Sequence, residues 1–203
     1  MTRIPELVTA ITTLLLFAAP AWPQGAVTTQ PLNGIERYAL NPSRDMLDQG
    51  RNVATTTCAT CHGIDGVSTE AGIPNLAGQR TVYLYRILQH YQLRERRDDA
   101  MNHAVGLLNE EALLAVATWY ASLAPARPLL PEDADAGPAA ASSGDAFAGI
   151  RSDLGKCGRC HGEDGNATAS GMPNLSAQSQ EYFLASMQAY TDGGRDHKLM
   201  GKL

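Results

Sequence analysis

Apolar side chains recur along this chain with a helical period. Leu84, Leu88 and Tyr91 fall at i, i+4 and i+7, and Phe183, Met187 and Tyr190 repeat that spacing, which gathers each trio on one helical face. Leu113, Leu114, Val116, Ala117 and Tyr120 mark a further helix, opened by Asn109, Glu110 and Glu111 and ended by Pro125. Ser43 and Asp45 stand where they can cap a helix running toward position 58. Ser143 and Asp145 stand likewise ahead of position 157. No segment alternates apolar and polar residues over the length of a strand, so the pattern predicts an all-α chain.

The first apolar stretch has a different character. Residues 7–20 are interrupted only by threonines, follow Arg3, and lead into Ala19-Pro20-Ala21. A positive start, an apolar centre and a small-x-small end predict a signal peptide over residues 1–21, with export to the periplasm. If uncut, the same segment would be a membrane anchor, held as a short tilted or mismatched helix, and would leave the protein associated with the membrane periphery. No apolar run in the chain reaches the roughly 18–20 residues of a membrane span.

The chain has 203 residues, of which 44% are hydrophobic and 18% charged. That balance belongs to neither a disordered tail nor a coiled coil. A formal net charge of −5 argues against nucleic acid as a partner, since such binders carry a basic face. Pro125, Pro128, Pro131 and Pro138 lie among small and acidic residues and predict a semi-extended linker over 125–142. Two domains follow, over 42–124 and 143–203. Units of that size ordinarily need a staple, a metal or a cofactor.

A shift of 99 residues lays the second domain on the first. From Cys58 to Met101, 17 of 44 positions are identical without a gap, where chance gives about three. The shared residues include Gly63, Asp65, Gly66, Pro74, Asn75, Leu76, Gln79, Tyr83, Gln89, Tyr91 and Arg96 with their partners. This is a duplicated domain.

Both copies contain C-x-x-C-H, as Cys58, Cys61, His62 and Cys157, Cys160, His161. This is the attachment signature of c-type haem. Two intervening residues let the cysteine pair form thioethers with vinyl groups on neighbouring pyrrole rings, and the histidine then lies beneath the iron. A thioredoxin-like redox pair needs a βαβ setting, and a zinc site needs its cysteine pairs some 15 to 20 residues apart. A disulfide within each motif explains neither the histidine nor its repetition.

The register also selects a sixth iron ligand. Only Met101 and Met200 coincide among the methionines, each 39 residues after its histidine. His90, His103 and His197 have no matching histidine and read as ordinary polar residues, with His103 and His197 as fallback ligands. The Pro74 and Pro173 carbonyls are placed to accept the second ring N–H of His62 and His161, as a ligating histidine requires. Arg96 and Arg195 either neutralise haem propionates or are solvated. Gly66 and Gly165 allow the tight turn after each motif.

The C-x-x-C-H-G-x-D-G start, the Pro-Asn-Leu-Ala-Gly-Gln run at 74–79, the Tyr-Leu helix and the distal methionine resemble class I cytochromes c. Two tandem copies resemble the dihaem cytochrome c4 family over nearly the whole mature chain. The resemblance implies two helical lobes with His/Met haems at Cys58, Cys61, His62, Met101 and at Cys157, Cys160, His161, Met200. It also implies electron shuttling between a quinol-cytochrome c reductase and a terminal oxidase. The second copy departs with Ser176-Ala177 in place of Ala77-Gly78.

His/Met ligation would leave both irons six-coordinate, which predicts a soluble electron carrier with no small-molecule substrate. The alternative is the haem-bearing subunit of a larger dehydrogenase complex. A dihaem peroxidase needs halves that differ in their ligands, and these halves match. The counterpart of the Asn109–Leu123 helix does not follow Met200, which leads us to expect a C-terminally truncated second domain.

Overall fold

The computed structural model describes residues 35, 40–126, 148–169 and 171–202. The predicted signal peptide and nearly all of the predicted linker lie outside these residues, as do the Ser143 and Asp145 caps. Residues 32–203 form one unit that contains both copies, and every described element is helical.

In the first lobe, α1 spans Arg44–Val53, α2 Ala59–His62, α3 Thr81–Gln92, α4 Asp99–Val105 and α5 Glu110–Ser122. The second lobe contains α6 over Ala148–His161, α7 over Gln180–Thr191, and a 3₁₀ turn over Met200–Lys202. The caps follow local chemistry. Ser43 Oγ accepts from Met46 N–H, with Asp45 in the first turn of α1 and not at its cap. Asn109 Oδ1 accepts from Ala112 N–H at the head of α5, followed by Glu110 and Glu111, whose charge suits a helix N-terminus.

The helix expected to run toward Cys58 changes its winding on the way. A π-helical turn occupies Ala54–Cys58. Thr55 Oγ1 donates back to the Arg51 carbonyl (2.8 Å) and Thr56 Oγ1 to the Asn52 carbonyl (2.9 Å). Hydroxyls that bond the preceding turn bend a helix. The second copy has no such threonine run, and α6 continues through its motif.

The first lobe closes on itself. Helix α1 packs mainly on α5, and α3 packs on both α5 and α4. Leu113, Val116 and Tyr120 of α5 and Leu84, Tyr85 and Tyr91 of α3 are buried in one core with Ala54. The second lobe is open by comparison. Helix α7 buries none of its residues, and Phe183 and Leu184 are 37% and 58% exposed where their counterparts Leu84 and Tyr85 are covered.

Candidate haem sites

Each site starts from a histidine at the end of its motif helix. His62 and His161 are both 7% exposed. His62 Nδ1 lies 3.0 Å from the Pro74 carbonyl oxygen, and His161 Nδ1 lies 2.9 Å from that of Pro173. A carbonyl can only accept, so each Nδ1 carries the proton and each Nε2 keeps its lone pair. That is the tautomer a metal needs. Burial also pushes His62 below the ordinary histidine range, against the Pro74 hydrogen bond and the Asp98 charge.

The loop that presents each proline is built the same way twice. Gly66 adopts φ +75° and Gly165 φ +76°. The Gly66 carbonyl accepts from Leu76 and Ala77, and the Gly165 carbonyl from Leu175 and Ser176. Asn75 Oδ1 accepts from Ser68 N–H (2.9 Å) and Asn174 Oδ1 from Ala167 N–H (3.0 Å). In the first lobe Tyr120 Oη also donates to the Gly63 carbonyl (3.1 Å), tying α5 to the end of the motif.

The four cysteines differ in exposure. Cys61 is exposed, and Cys58, Cys157 and Cys160 are half-buried. Burial pushes the Cys58 thiol up to about 11. A site that disfavours the thiolate suits a neutral thioether, and no disulfide joins Cys58 to Cys61.

Met101 sits in α4 and packs against the first-lobe core, as Cys58 does. Asp98 Oδ1 caps that helix on Met101 N–H (2.9 Å), and the same carboxylate acts on the charge of His62. Met200 is half-buried in the 3₁₀ turn. His197 Nδ1 accepts from Met200 N–H (3.2 Å) and Leu199 N–H (3.3 Å). His197 thus stands where Asp98 stands and caps the same methionine turn. Sequence comparison passes over this residue because the two side chains are not identical. His90, His103 and His197 are all exposed.

Arg96 and Arg195 form a third matched pair. Their guanidinium carbons lie 4.6 Å above the Tyr91 ring and 4.4 Å above the Tyr190 ring. Arg96 donates to Tyr182 Oη of the other lobe (3.1 Å), and Arg195 hydrogen-bonds Tyr83 in the reciprocal sense. Among the described residues neither guanidinium has a carboxylate partner.

The Cytochrome c domain family matches residues 47–123. The thiosulfate dehydrogenase electron acceptor of Stutzerimonas stutzeri is 29% identical over 90% of this chain and 86% of its own. That of Thiomonas intermedia is 32% identical over 71% of this chain and 67% of its own. Reduced cytochrome c4 from Pseudomonas stutzeri superposes with TM-score 0.58 at 26% identity, covering 74% of this chain and 82% of that one.

The chain belongs to the dihaem cytochrome c4 family.

It is a tandem class I cytochrome c, and its cofactors are two covalently attached c-type haems that carry single electrons. A further structural relative is the thiosulfate dehydrogenase TsdBA from Marichromatium purpuratum, with TM-score 0.60 and 34% identity over 76% of this chain. The cytochrome spans 36% of the length of that protein. The residues described here fit the cofactor: the lone pairs of His62 and His161, and the half-buried Cys58, Cys157 and Cys160 beside them in the motifs. Among the described residues no helix is long and apolar enough to cross a membrane.

Proposed function

We propose that this cytochrome is a periplasmic carrier that accepts electrons one at a time from a substrate-oxidising dehydrogenase and releases them to a terminal oxidase. Thiosulfate oxidation is the favoured donor reaction. The observation that carries this reading is the likeness, over 90% of the chain, to a protein named for accepting electrons from thiosulfate dehydrogenase.

In this reading Cys58 and Cys61 hold one haem and Cys157 and Cys160 the other. His62 with Met101, and His161 with Met200, would supply the protein donors to each iron. The haem, when bound, supplies a one-electron couple whose potential methionine raises. The protein's own task would be to offer iron two donors per haem, so that no substrate reaches it, and to hold each imidazole rigid through the Pro74 and Pro173 carbonyls. Arg96 and Arg195 would supply guanidiniums to the haem propionates, a pairing whose geometry suits a carboxylate. An acidic chain with acidic cofactors docks best on a basic partner surface, through contacts that added salt weakens.

The likeness to cytochrome c4 supports a second reading, in which the donor is a quinol-cytochrome c reductase. Oxidised protein mixed with a thiosulfate dehydrogenase and thiosulfate should show rapid reduction of both haems by absorbance. No reduction there, with rapid reduction by the quinol-oxidising complex, selects the second reading. Rapid peroxide turnover by the purified protein would overturn both.

A further inference from the structure

The lobes meet through hydrogen bonds that repeat under the same 99-residue shift. Asn75 N–H donates to Gln178 Oε1 (2.8 Å), and Asn174 N–H donates to Gln79 Oε1 (2.8 Å). Gln178 Nε2 donates back to the Asn75 carbonyl (3.1 Å), and Gln79 Nε2 to the Asn174 carbonyl (2.9 Å). Asn75 Nδ2 reaches the Ala177 carbonyl (2.8 Å), and Asn174 Nδ2 reaches that of Gly78 (3.0 Å). Each glutamine therefore grips the backbone of an asparagine in the opposite lobe.

The Asn75 N–H belongs to the same planar amide as the Pro74 carbonyl, and that carbonyl accepts from His62 Nδ1. The Asn174 N–H shares its amide with the Pro173 carbonyl, which accepts from His161 Nδ1. One continuous chain thus runs from His62 through the 74–75 amide to Gln178. Its mirror runs from His161 through the 173–174 amide to Gln79. Gln79 is only 7% exposed and Gln178 is half-buried, so water competes least for the bonds of Gln79.

An amide whose N–H is engaged has a more negative carbonyl oxygen, because linked hydrogen bonds polarise one another. The stronger acceptor draws harder on Nδ1–H and makes the imidazole a better donor to iron. A better donor favours the ferric state. We propose that Gln178 and Gln79 are crossed positioning residues: each lowers the reduction potential at the haem of the lobe to which it does not belong. The proposal rests on axial ligation by His62 and His161 as proposed above. It makes the docking of the lobes part of the redox setting of each one.

The test is spectroelectrochemical titration of the full-length dihaem protein. The first-lobe wave is assigned by its displacement in Met101→Ala, the second by Met200→Ala. In Gln178→Leu the first-lobe wave should move up, raising the reduced-to-oxidised ratio at fixed applied potential about twofold or more. The second-lobe wave should move less. Gln79→Leu should do the reverse. Where a leucine variant does not accumulate, Gln178→Glu serves instead. It keeps an acceptor oxygen on Asn75 N–H with added charge, and should lower the first-lobe wave more than the second. A shift confined to the glutamine's own lobe, equal shifts in both lobes, or no shift would overturn the proposal. Met101→Ala and Met200→Ala waves that both stay in place would instead sink the ligand assignment, and this inference with it.

Discussion

Gly50 lies in α1, the helix that packs on α5, and its replacement by alanine measures how close that packing is. A Cβ built at Gly50 presses into the Ala115 carbonyl oxygen and lies 2.7 Å from the carbonyl carbon and 2.8 Å from Trp119 Cβ. Carbon atoms in good contact sit about 3.5–4.0 Å apart. Neither obstacle can rotate away, since one is backbone and the other is fixed to it. The two helices must therefore separate by roughly 1 Å, which loosens the packing of Ala115, Val116 and Ala117, now 0%, 2% and 1% exposed. Overpacking of this kind costs about 1–3 kcal/mol. Exchange of a helical glycine for alanine returns about 1 kcal/mol of backbone propensity. With a rigid obstacle the upper half of that range applies, and the net loss is about 1–2 kcal/mol. A lobe of this size loses about 4–8 °C of melting temperature per kcal/mol. Differential scanning calorimetry of the holoprotein should show the first-lobe transition falling by roughly 5–15 °C with the second nearly unmoved. An unchanged or raised first-lobe transition would refute the reasoning, because the propensity gain would then have met no steric opposition.

Ala177 sits at φ +63° where the first copy has Gly78 at +67°. Ala177→Gly should relieve about 1–2 kcal/mol of left-handed strain against about 0.4–1 kcal/mol of added unfolded-chain entropy, so the second-lobe denaturant midpoint should rise; a fall would contradict this. Gly78→Ala should do the opposite in the first lobe, where a Cβ would lie 2.5 Å from Pro125 Cγ. His197→Ala should cost the Met200 turn about 0.5–2 kcal/mol, in the manner of a lost helix cap, and weaken the second-lobe part of the near-infrared methionine-to-iron band. His197→Asp, which copies the first lobe, should restore that part, and equal losses in both variants would argue against a capping role. Denatured holoprotein should keep the mass of two haems, and Cys157→Ala with Cys160→Ala should leave one; a mass of no haem in the parent chain would defeat the assignment of the attachment sites.

Much of the molecule was legible before folding. Helical spacing, the caps at Ser43 and Asn109 and the absence of alternation are local properties, and each is set within a few residues. The two C-x-x-C-H motifs and the duplication needed no coordinates. Nor did the reach of the Pro74 and Pro173 carbonyls toward their histidines, since a ligating histidine needs a second-ring-nitrogen partner. The π-helical turn was missed because three consecutive threonines read as weak helix formers, with no sign of which carbonyls their hydroxyls choose. The capping role of His197, named from sequence only as a fallback ligand, was missed because a carboxylate and an imidazole can do the same capping while sharing no identity.

Tertiary structure alone decided the role of Asn75, Gln79, Asn174 and Gln178. Their repetition under the 99-residue shift marks them as constrained, yet a repeated polar pair could as readily bond within its own lobe. The partners lie 95 to 103 residues apart in sequence, so no local preference joins them. They bond across the lobes because the half-buried face that carries them leaves backbone N–H and carbonyl groups short of water, and the matching face of the duplicate domain supplies partners.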